Sequence, residues 1–404
     1  MPSAPTVARA FSPLDERLGL LPGGLAPHMQ EMMVRLGSWM PFEPAVQLLE
    51  AFTGVCISKS TGRRLTESAG AKLVEQEEER ITALEAGQVE EPQEVAKRLV
   101  FSVDGAMVPL MGGEWAEVRT MVIGEASPSG AQEGELEQRT TNHTYFSRLT
   151  DSTTFQRAAL VETERRGLYH APEVATVNDG AEWIQQFIDY HRPDAVRILD
   201  FPHAAERFTT IYQTCQEEGI TLADEWPAEQ RRRLKEEGGA AVLETLQELQ
   251  QEHPELSIDE ALAYLSKREQ MLQYPHFLQA GWPIGSGIVE SANKLVVEAR
   301  LKGSGMHWHP AHVNPMLALR NVVCNDRWEE SWPTIAKGLR QTRPKETSSA
   351  TTELVIPGPN PVREYYKKMQ KLHRQEQKAD EEPVPKKKWK PAPDHPWRRN
   401  MMRR

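Results

Sequence analysis

Apolar residues recur at the spacing of an α-helix over the N-terminal part of the chain. Residues 1–25 contain proline and glycine with little periodicity, which predicts an extended lead-in. Between residues 26 and 73, apolar side chains return every three or four positions, as on one face of a helix. Gly54 stands where a left-handed helix end is expected, and Ser58 or Ser60 is a suitable N-cap for the next helix. The pattern therefore predicts helices joined by a short turn.

The last of these helices carries polar and basic residues near its start, with Arg63 and Arg64 predicted to face outward. A helix, a short glycine-containing turn and such a helix have the layout of a helix-turn-helix DNA-binding domain, here residues 26–73. Three-helix clusters without a DNA role share this pattern, so the segment alone leaves both interpretations open. Residues 74–97 are rich in Glu and Gln, which predicts an acidic helical linker.

The pattern changes at residue 98 to short runs rich in β-branched residues. Strands are predicted at 98–104, 116–124, 141–149, 174–179 and 195–201, with helices at 151–168 and 181–190. Three successive strands, followed by two strands that helices separate, describe a ribonuclease-H-like α/β sheet, whose first part is expected at 98–203. Functional sites of open α/β sheets lie near the C-terminal ends of the strands.

Polar helical sequence returns after the fifth predicted strand. Residues 204–280 predict an all-α insertion, in which Tyr264 and Arg268 are interpreted as structural. Residues 281–340 are expected to close the ribonuclease-H-like core with helices. Residues 341–404 predict a basic, Pro-rich tail.

Composition then narrows the class of protein. The chain has 404 residues, with 48 basic and 58 acidic side chains and a net charge of −10. No stretch approaches the ~20 apolar residues that a membrane span needs, and the first residues lack the layout of a signal peptide. The three cysteines lie far apart, which supports neither a disulfide framework nor a thiolate zinc site. These features predict a cytoplasmic globular protein without a membrane partner.

Four carboxylates stand where the predicted sheet would gather them. Asp104, Asp179 and Asp200 each end an apolar strand, and Glu290 opens a helix after a Gly-rich segment. A single Asp after a strand is commonly only a turn former or a helix cap. Converging carboxylates, however, repel one another and match hard cations such as Mg²⁺ or Mn²⁺. Because two such ions assist displacement at a phosphodiester, the combination predicts metal-dependent phosphoryl chemistry.

Five blocks of sequence carry a family resemblance. They are Val103-Asp-Gly-Ala-Met-Val-Pro109, Gly113-Glu-Trp-Ala-Glu-Val-Arg119, Asn178-Asp-Gly-Ala-Glu-Trp183, Ile198-Leu-Asp-Phe-Pro-His-Ala204 and Pro283-Ile-Gly-Ser-Gly-Ile-Val-Glu-Ser291. Together they resemble the blocks of bacterial insertion-sequence DDE transposases, most closely the ISKra-like group, which is related to Mutator-type transposases. Arg300-Leu-Lys-Gly-Ser-Gly-Met-His-Trp308 and His395-Pro-Trp-Arg-Arg399 resemble the same family, so the likeness extends from Ser12 to Arg399.

This resemblance implies roles for individual residues. It implies a catalytic and metal-binding triad of Asp104, Asp179 and Glu290, with Asp200 and His203 as a supporting motif. A simpler alternative makes Asp200 the second metal ligand. The residues expected to contact DNA, with surface charge or ordinary packing as the alternative, are Arg63, Arg64, Lys294, Arg300, Lys302 and Trp308.

Two features depart from the family pattern. Many relatives carry a zinc-binding cysteine cluster ahead of the helix-turn-helix, which this sequence lacks. Pro202 stands where an aromatic residue is expected. Both departures concern recognition of the element ends more than the chemistry.

The resemblance implies a DNA transposase that uses Mg²⁺ or Mn²⁺ to cleave the ends of a mobile element and transfer them into target DNA. The implied partners are double-stranded DNA, as terminal inverted repeats and as target, and further copies of the chain in a homodimer or higher assembly. Two other functions remain open: a domesticated, catalytically silent DNA-binding protein, and a ribonuclease-H-type nuclease.

Overall fold

The computed structural model describes residues 25–90, 95–126, 140–341 and 358–380. Most of the predicted lead-in and of the predicted tail lies outside these ranges. Contacts divide the chain into two compact units, Met1–Val362 and Arg363–Arg404.

The centre of the first unit is a five-stranded mixed sheet, so the protein is α/β. Its strands are β1 (Arg98–Pro109), β2 (Trp115–Ala126), β3 (Thr140–Leu149), β4 (Glu173–Asn178) and β5 (Val196–Leu199). The strand order is β3-β2-β1-β4-β5. β1 runs antiparallel to β2 and parallel to β4, and β4 runs parallel to β5. All five predicted strands are confirmed.

The strand that carries Asp104 is longer than predicted. β1 continues to Pro109, because its antiparallel pairing with β2 extends as far as Pro109 opposite Trp115. Its parallel pairing with β4 ends where Phe101 lies beside Thr176. Asp104 is therefore inside a strand rather than at its end, which corrects the expectation, but it lies just beyond the point where the parallel ladder opens.

Helices cover both faces of the sheet because its strands alternate apolar side chains between them. One face carries Phe101 and Met121 and packs on the short helix α4 (Ser152–Ala158) and on α6 (Glu182–His191), and a second short helix, α5 (Leu160–Arg165), follows α4. The predicted helix over 151–168 is thus two short helices. The other face carries Val100, Ala175 and Ile198 and packs on a helical segment, residues 201–279.

The helical segment consists of five α-helices and a 3₁₀ turn. Their bounds are α7 (Phe201–Glu217), α8 (Trp226–Glu237), α9 (Gly239–Glu252), α10 (Asp259–Ser266), the 3₁₀ turn Glu269–Leu272 and α11 (Tyr274–Gln279). Leucines that α8 and α9 bury, such as Leu234 and Leu246, join the same apolar core as the sheet residues. The segment therefore shares its core with the sheet.

The chain then returns to the sheet through α12 (Gly287–Ala292), a π-helical stretch (Asn293–Glu298) and the short helix α13 (Ala299–Leu301). Val289 and Ala292 pack on Val122, which places α12 on the sheet face that carries Val100. Two longer helices, α14 (Pro310–Cys324) and α15 (Trp328–Gln341), follow. A further helix, α16, spans Pro361–Asp380.

Two asparagines of α14 and Asn325, which follows its last residue, cover the edge strand β3. The side-chain oxygens of Asn314, Asn321 and Asn325 accept hydrogen bonds from the backbone N–H groups of Leu149, Ser147 and Tyr145, at 2.7, 3.1 and 2.8 Å. The spacing of seven and four residues keeps the three amides on one face of the helix. The edge of the sheet is thus paired, which removes a surface prone to aggregation.

The N-terminal helices pack on the same end of the molecule. They are α1 (Pro27–Trp39), α2 (Phe42–Thr53) and α3 (Lys59–Glu85). The predicted left-handed end at Gly54 is confirmed by its φ of 71°, and Ser58 caps α3 by accepting a hydrogen bond from the Thr61 N–H at 3.1 Å. α3 continues to Glu85, through part of the predicted linker, because Ile81 and Leu84 are buried.

Candidate functional site

The register of the parallel strands brings three aspartates level with one another. The last register pair of β1 and β4 joins Phe101 and Thr176, and Asp104 and Asp179 each follow that pair by three positions, beyond the end of the parallel ladder. Because Asn178 pairs with Leu199, Asp179 falls level with Asp200 one position further. Neighbouring strands lie about 4.8 Å apart. All three aspartates also share the alternation of Val100, Ala175 and Ile198, so they belong to the face that α12 and the helical segment cover.

The environment of Asp104 shows which other charged groups lie nearby. Burial raises the pKa of the Asp104 carboxyl above its ordinary value, and the hydrogen bond from Gly105 opposes this. The carboxylates of Asp179 and Glu290 raise the pKa further, whereas His203 lowers it. The predicted residues Asp104, Asp179, Glu290 and His203 are therefore brought into one neighbourhood.

Asp179 lies on a tight turn between β4 and α6. Its Oδ1 accepts a hydrogen bond from the Ala181 N–H at 2.8 Å, which closes the turn. Gly180 has a φ of +81°, where a side chain would be strained, and an added Cβ would lie 2.5 Å from Arg268 Nε. The Asp-Gly pair is thus required by the turn itself.

The helical segment holds this turn from the outside. The Tyr264 hydroxyl donates to the backbone carbonyl of Asp179, and the Arg268 guanidinium donates to that of Gly180 from Nη2 at 2.8 Å and Nε at 3.2 Å. The guanidinium also stacks on the Tyr264 ring, 3.9 Å from its centre. Both residues were expected to be structural only. Arg268 lies just after α10, so no helical spacing in the sequence pairs it with Tyr264.

Asp200 differs from the other two aspartates because the protein itself occupies both of its carboxylate oxygens. Oδ1 accepts from the Ser286 N–H at 2.6 Å, and Oδ2 accepts from the His203 N–H at 3.0 Å and from its Nδ1 at 2.7 Å. The side chain is wholly buried. Asp200 therefore caps α7, ties the Gly-rich loop before α12 to it, and orients His203.

His203 is half-exposed at the edge of this cluster. Burial alone would lower the pKa of its imidazole, but the hydrogen bond and the charge of Asp200, with Asp179 and Glu206, raise the pKa above its ordinary value. A protonated imidazole beside several carboxylates provides local positive charge.

Helix α12 supplies Glu290, which is exposed, and its continuation supplies Asn293, which is buried. Asn293 Nδ2 donates to Asp104 Oδ2 at 2.9 Å. Its Oδ1 is buried without a hydrogen-bond partner. Asn293 was not among the predicted site residues, although a spacing of three residues places it on the same helix face as Glu290. The π-helical stretch begins at this residue, and π-bulges are frequent at functional sites.

These residues suit a hard divalent cation by the chemistry of their donors. Asp104, Asp179 and Glu290 offer carboxylate oxygens, and Asn293 adds an amide oxygen that has no partner within the protein. Within the described ranges, no three His, Cys, Asp or Glu side chains are grouped tightly enough to hold a metal ion as they stand. Asp104, Asp179, Glu290 and Asn293 are the residues that would hold Mg²⁺ or Mn²⁺ at this position.

The residues predicted to contact DNA divide into two groups. Arg63, Arg64, Lys294 and Lys302 are exposed, and Lys302 forms an ion pair with Glu298 at 2.9 Å. Arg300 and Trp308 are not on the surface.

Arg300 is 1% exposed, and Trp308 is buried with its indole N–H donating to the Leu301 carbonyl at 2.9 Å. Trp308 also packs edge-on against Phe42. Its packing role is thus clear, and a stacking role on an exposed base does not fit this position.

The sequence matches no model of a known protein family, and no curated protein is similar to it. In the described ranges, no helix combines the length and apolar character that crossing a membrane requires.

Proposed function

We propose that this protein is a metal-dependent DNA transposase of the DDE type, in which Asp104, Asp179 and Glu290 are the catalytic carboxylates. The observation that carries the proposal is the grouping of these three side chains, two by strand register and one by α12. The strand order β3-β2-β1-β4-β5, with helices on both faces, agrees with a ribonuclease-H-like core. The resemblance of the sequence blocks to insertion-sequence transposases supports the same reading.

The occupied oxygens of Asp200 favour Asp179 as the second ligand. Asp179 keeps Oδ2 available, whereas Asp200 would have to give up bonds to Ser286 and His203. Breaking such buried hydrogen bonds costs about 1–3 kcal/mol each. We therefore assign Asp179 to the triad, and Asp200 with His203 to its support.

The chemistry requires positioning more than covalent catalysis. Bound divalent cations would activate the attacking oxygen and stabilise the leaving oxygen. Asn293 holds the Asp104 carboxylate in place, and Tyr264 with Arg268 hold the turn of Asp179. In the first reaction a water oxygen bonds to phosphorus while the P–O3′ bond breaks, which leaves a 3′-hydroxyl and a 5′-phosphate. That hydroxyl then attacks a target phosphodiester, and one ester bond replaces another.

The proposed partners follow from this chemistry. Double-stranded DNA provides both the element ends and the target. Joining two ends to one target requires two active sites, so we propose a homodimer or a higher assembly on paired ends.

The test is cleavage of duplex DNA that carries the sequences flanking the reading frame. Asp104→Asn and Glu290→Gln are expected to lower Mg²⁺-dependent strand cleavage by more than about 100-fold while duplex binding persists. Glu248→Gln, at an exposed position on α9, is the matched control and should cleave like the unaltered protein. Undiminished cleavage by either site variant would refute the triad.

The same assay separates the alternatives. Binding without metal-dependent cleavage of any duplex would indicate a catalytically silent DNA-binding protein. Cleavage of RNA–DNA hybrid in preference to DNA duplex would indicate a ribonuclease-H-type nuclease.

A further inference from the structure

A cavity of about 470 Å³ lies apart from the carboxylates, where α2 and the start of α3 meet the segment between α13 and α14. Its apolar wall includes Phe42, Met111 and Trp308, and its charged lining includes Arg63 and Arg300. Mostly apolar walls with a few directed polar groups are typical of sites for small ligands. The volume falls within the range of about 300–1,000 Å³ of such sites.

Arg300 is the unusual member of this lining. Its guanidinium lies over the rings of Phe42 and Trp308, which contact each other, with its central carbon 4.7 and 5.1 Å from their centres. Nε donates to the Gly37 carbonyl at 2.9 Å, but Nη2 is buried and has no hydrogen-bond partner. A buried charge normally has a partner, because an unpaired one costs several kcal/mol.

Arg320 provides an internal comparison at the same corner of the molecule. It is as buried as Arg300 and also lies over an aromatic ring, that of Trp39. All three of its nitrogens donate to backbone carbonyls, those of Val296, Ser38 and Leu295. The protein therefore satisfies one buried guanidinium completely and leaves the other incomplete beside a cavity.

The charge of Glu67 acts on Arg300, but no acidic residue of the cavity accepts a hydrogen bond from the Arg300 Nη2. Glu67 is already engaged by His312 at 2.6 Å and lies 3.9 Å from Arg63 Nε. Glu43 and Lys59 also line the cavity, and their charges are opposite in sign. An anion in the cavity would therefore supply the hydrogen-bond acceptor that the Arg300 guanidinium lacks.

We infer that this cavity binds a single nucleotide, with the phosphate on Arg300 and Arg63 and the base or sugar against Met111 and Phe42. Arginine recognises phosphate through directed N–H groups, and apolar or aromatic walls accept a base without sequence preference. The cavity is too small for a duplex but admits one unpaired nucleotide. The inference rests on the proposed function when that nucleotide belongs to the DNA substrate; the same chemistry also fits a free nucleotide.

The test uses the full chain with deoxyadenosine monophosphate, in EDTA, by isothermal titration calorimetry. The nucleotide should bind more tightly than inorganic phosphate or deoxyadenosine, because both parts contribute. Arg63→Ala should weaken binding about tenfold, the usual value of one charge-assisted hydrogen bond. Arg64→Ala is the matched control, since Arg64 is the next residue, equally exposed, and outside the cavity lining.

Met111→Glu is a second variant that should fold, because Met111 is 60% exposed, and its new charge should repel the phosphate by a similar factor. Equal binding by the Arg63 and Arg64 variants, or no binding of the nucleotide at millimolar concentration, would overturn the inference.

Competition then identifies the source of the nucleotide. Displacement by duplex with one unpaired terminal nucleotide, but not by blunt duplex, assigns a nucleotide of the DNA strand; displacement by free nucleotides alone assigns a free one. Asp104→Asn should leave nucleotide affinity unchanged. Nucleotide binding without DNA cleavage would therefore contradict only the proposed transposase activity.

Discussion

Asp104 within β1, Asp179 just after β4 and Asp200 just after β5 are chemically identical side chains, yet their hydrogen-bond partners give them different capacities. Both carboxylate oxygens of Asp200 accept hydrogen bonds within the protein. By contrast, one oxygen of Asp104 accepts from Asn293, and one oxygen of Asp179 accepts from the Ala181 N–H. An oxygen without an internal partner is one that a cation can use. Roles at this scale are therefore set by which bonds the fold has already made.

Asn293→Leu tests the contact that holds Asp104. Loss of the amide should let the Asp104 carboxylate rotate, so the Mg²⁺ concentration for half-maximal cleavage should rise about tenfold. Asn293→Asp, which removes the N–H donor but keeps a side-chain oxygen, should raise this Mg²⁺ concentration less. A magnesium titration of DNA cleavage measures both, and an unchanged titration for the leucine variant would remove Asn293 from the site.

Asp104→Asn should stabilise the metal-free protein at neutral pH. The folded-state pKa of Asp104 is raised above the ordinary 3.8, so the folded protein binds the proton more tightly and loses stability as the pH rises through that raised value. The neutral amide avoids this loss, with a gain on the order of 1 kcal/mol or less for a partly exposed group. Urea denaturation in EDTA should show a higher free energy of unfolding for the variant at pH 7, and this difference should disappear near pH 4. A difference that does not depend on pH would show that the raised pKa of Asp104 is not its cause.

Among the secondary-structure elements, α10 and the residues just after it form hydrogen bonds to the turn between β4 and α6. Its Tyr264 and the following Arg268 reach the carbonyls of Asp179 and Gly180, and Arg207 from α7 lies 4.4 Å from the centre of the Tyr264 ring. The helical segment is thus joined to the candidate site by directed hydrogen bonds as well as by apolar packing. Movement of the helical segment would therefore change the position of Asp179.

Arg268→Lys tests this connection. Lysine keeps the charge but cannot donate two bonds from a planar group, so cleavage should fall about tenfold while DNA affinity and thermal stability change little. Arg231→Ala, at an exposed arginine of α8, is the control and should retain full cleavage. Partial rescue of the Arg268 variant by Mn²⁺, which tolerates looser ligand geometry, would indicate positioning rather than a loss of folding.

At the scale of the whole molecule, the N-terminal helices and the C-terminal helices of the first unit share one core. Val34 and Leu73 lie in the same apolar cluster as Leu319 and Ile335. Contact between α3 and α14 depends on Gly70, where an added Cβ would lie 2.1 Å from the Pro315 carbonyl oxygen. The arrangement places the basic start of α3 on the same body as the carboxylates.

Gly70→Ala should therefore destabilise the protein although alanine favours helices. The close approach is to backbone, which cannot rotate away, so the overpacking cost of about 1–3 kcal/mol should exceed the helix gain of about 1 kcal/mol. Gly287→Ala, where a Cβ meets nothing within 4 Å, is the control and should be neutral or stabilising. Urea denaturation measures the free energy of unfolding of both variants. Equal values would show that α3 and α14 move apart without an energetic cost.

Local sequence was sufficient to predict the secondary-structure elements and the chemical types of the residues at the candidate site. Periodicity located the five strands, because the alternation of apolar residues is imposed by the pleat, and Gly54 and Ser58 marked helix ends through local backbone rules. Aspartates near strand ends indicated a carboxylate site for the same local reason.

How those elements and residues combine depends on neighbours that are distant in the chain. The length of β1 past Asp104 depends on β2, the occupation of Asp200 depends on the Ser286 loop, and the burial of Arg300 depends on α1 and α2. Asn293, Tyr264 and Arg268 act on residues that are 85 to 189 positions away in the chain. Local sequence carries no record of such partners, because hydrogen bonds and burial are set by neighbours in space.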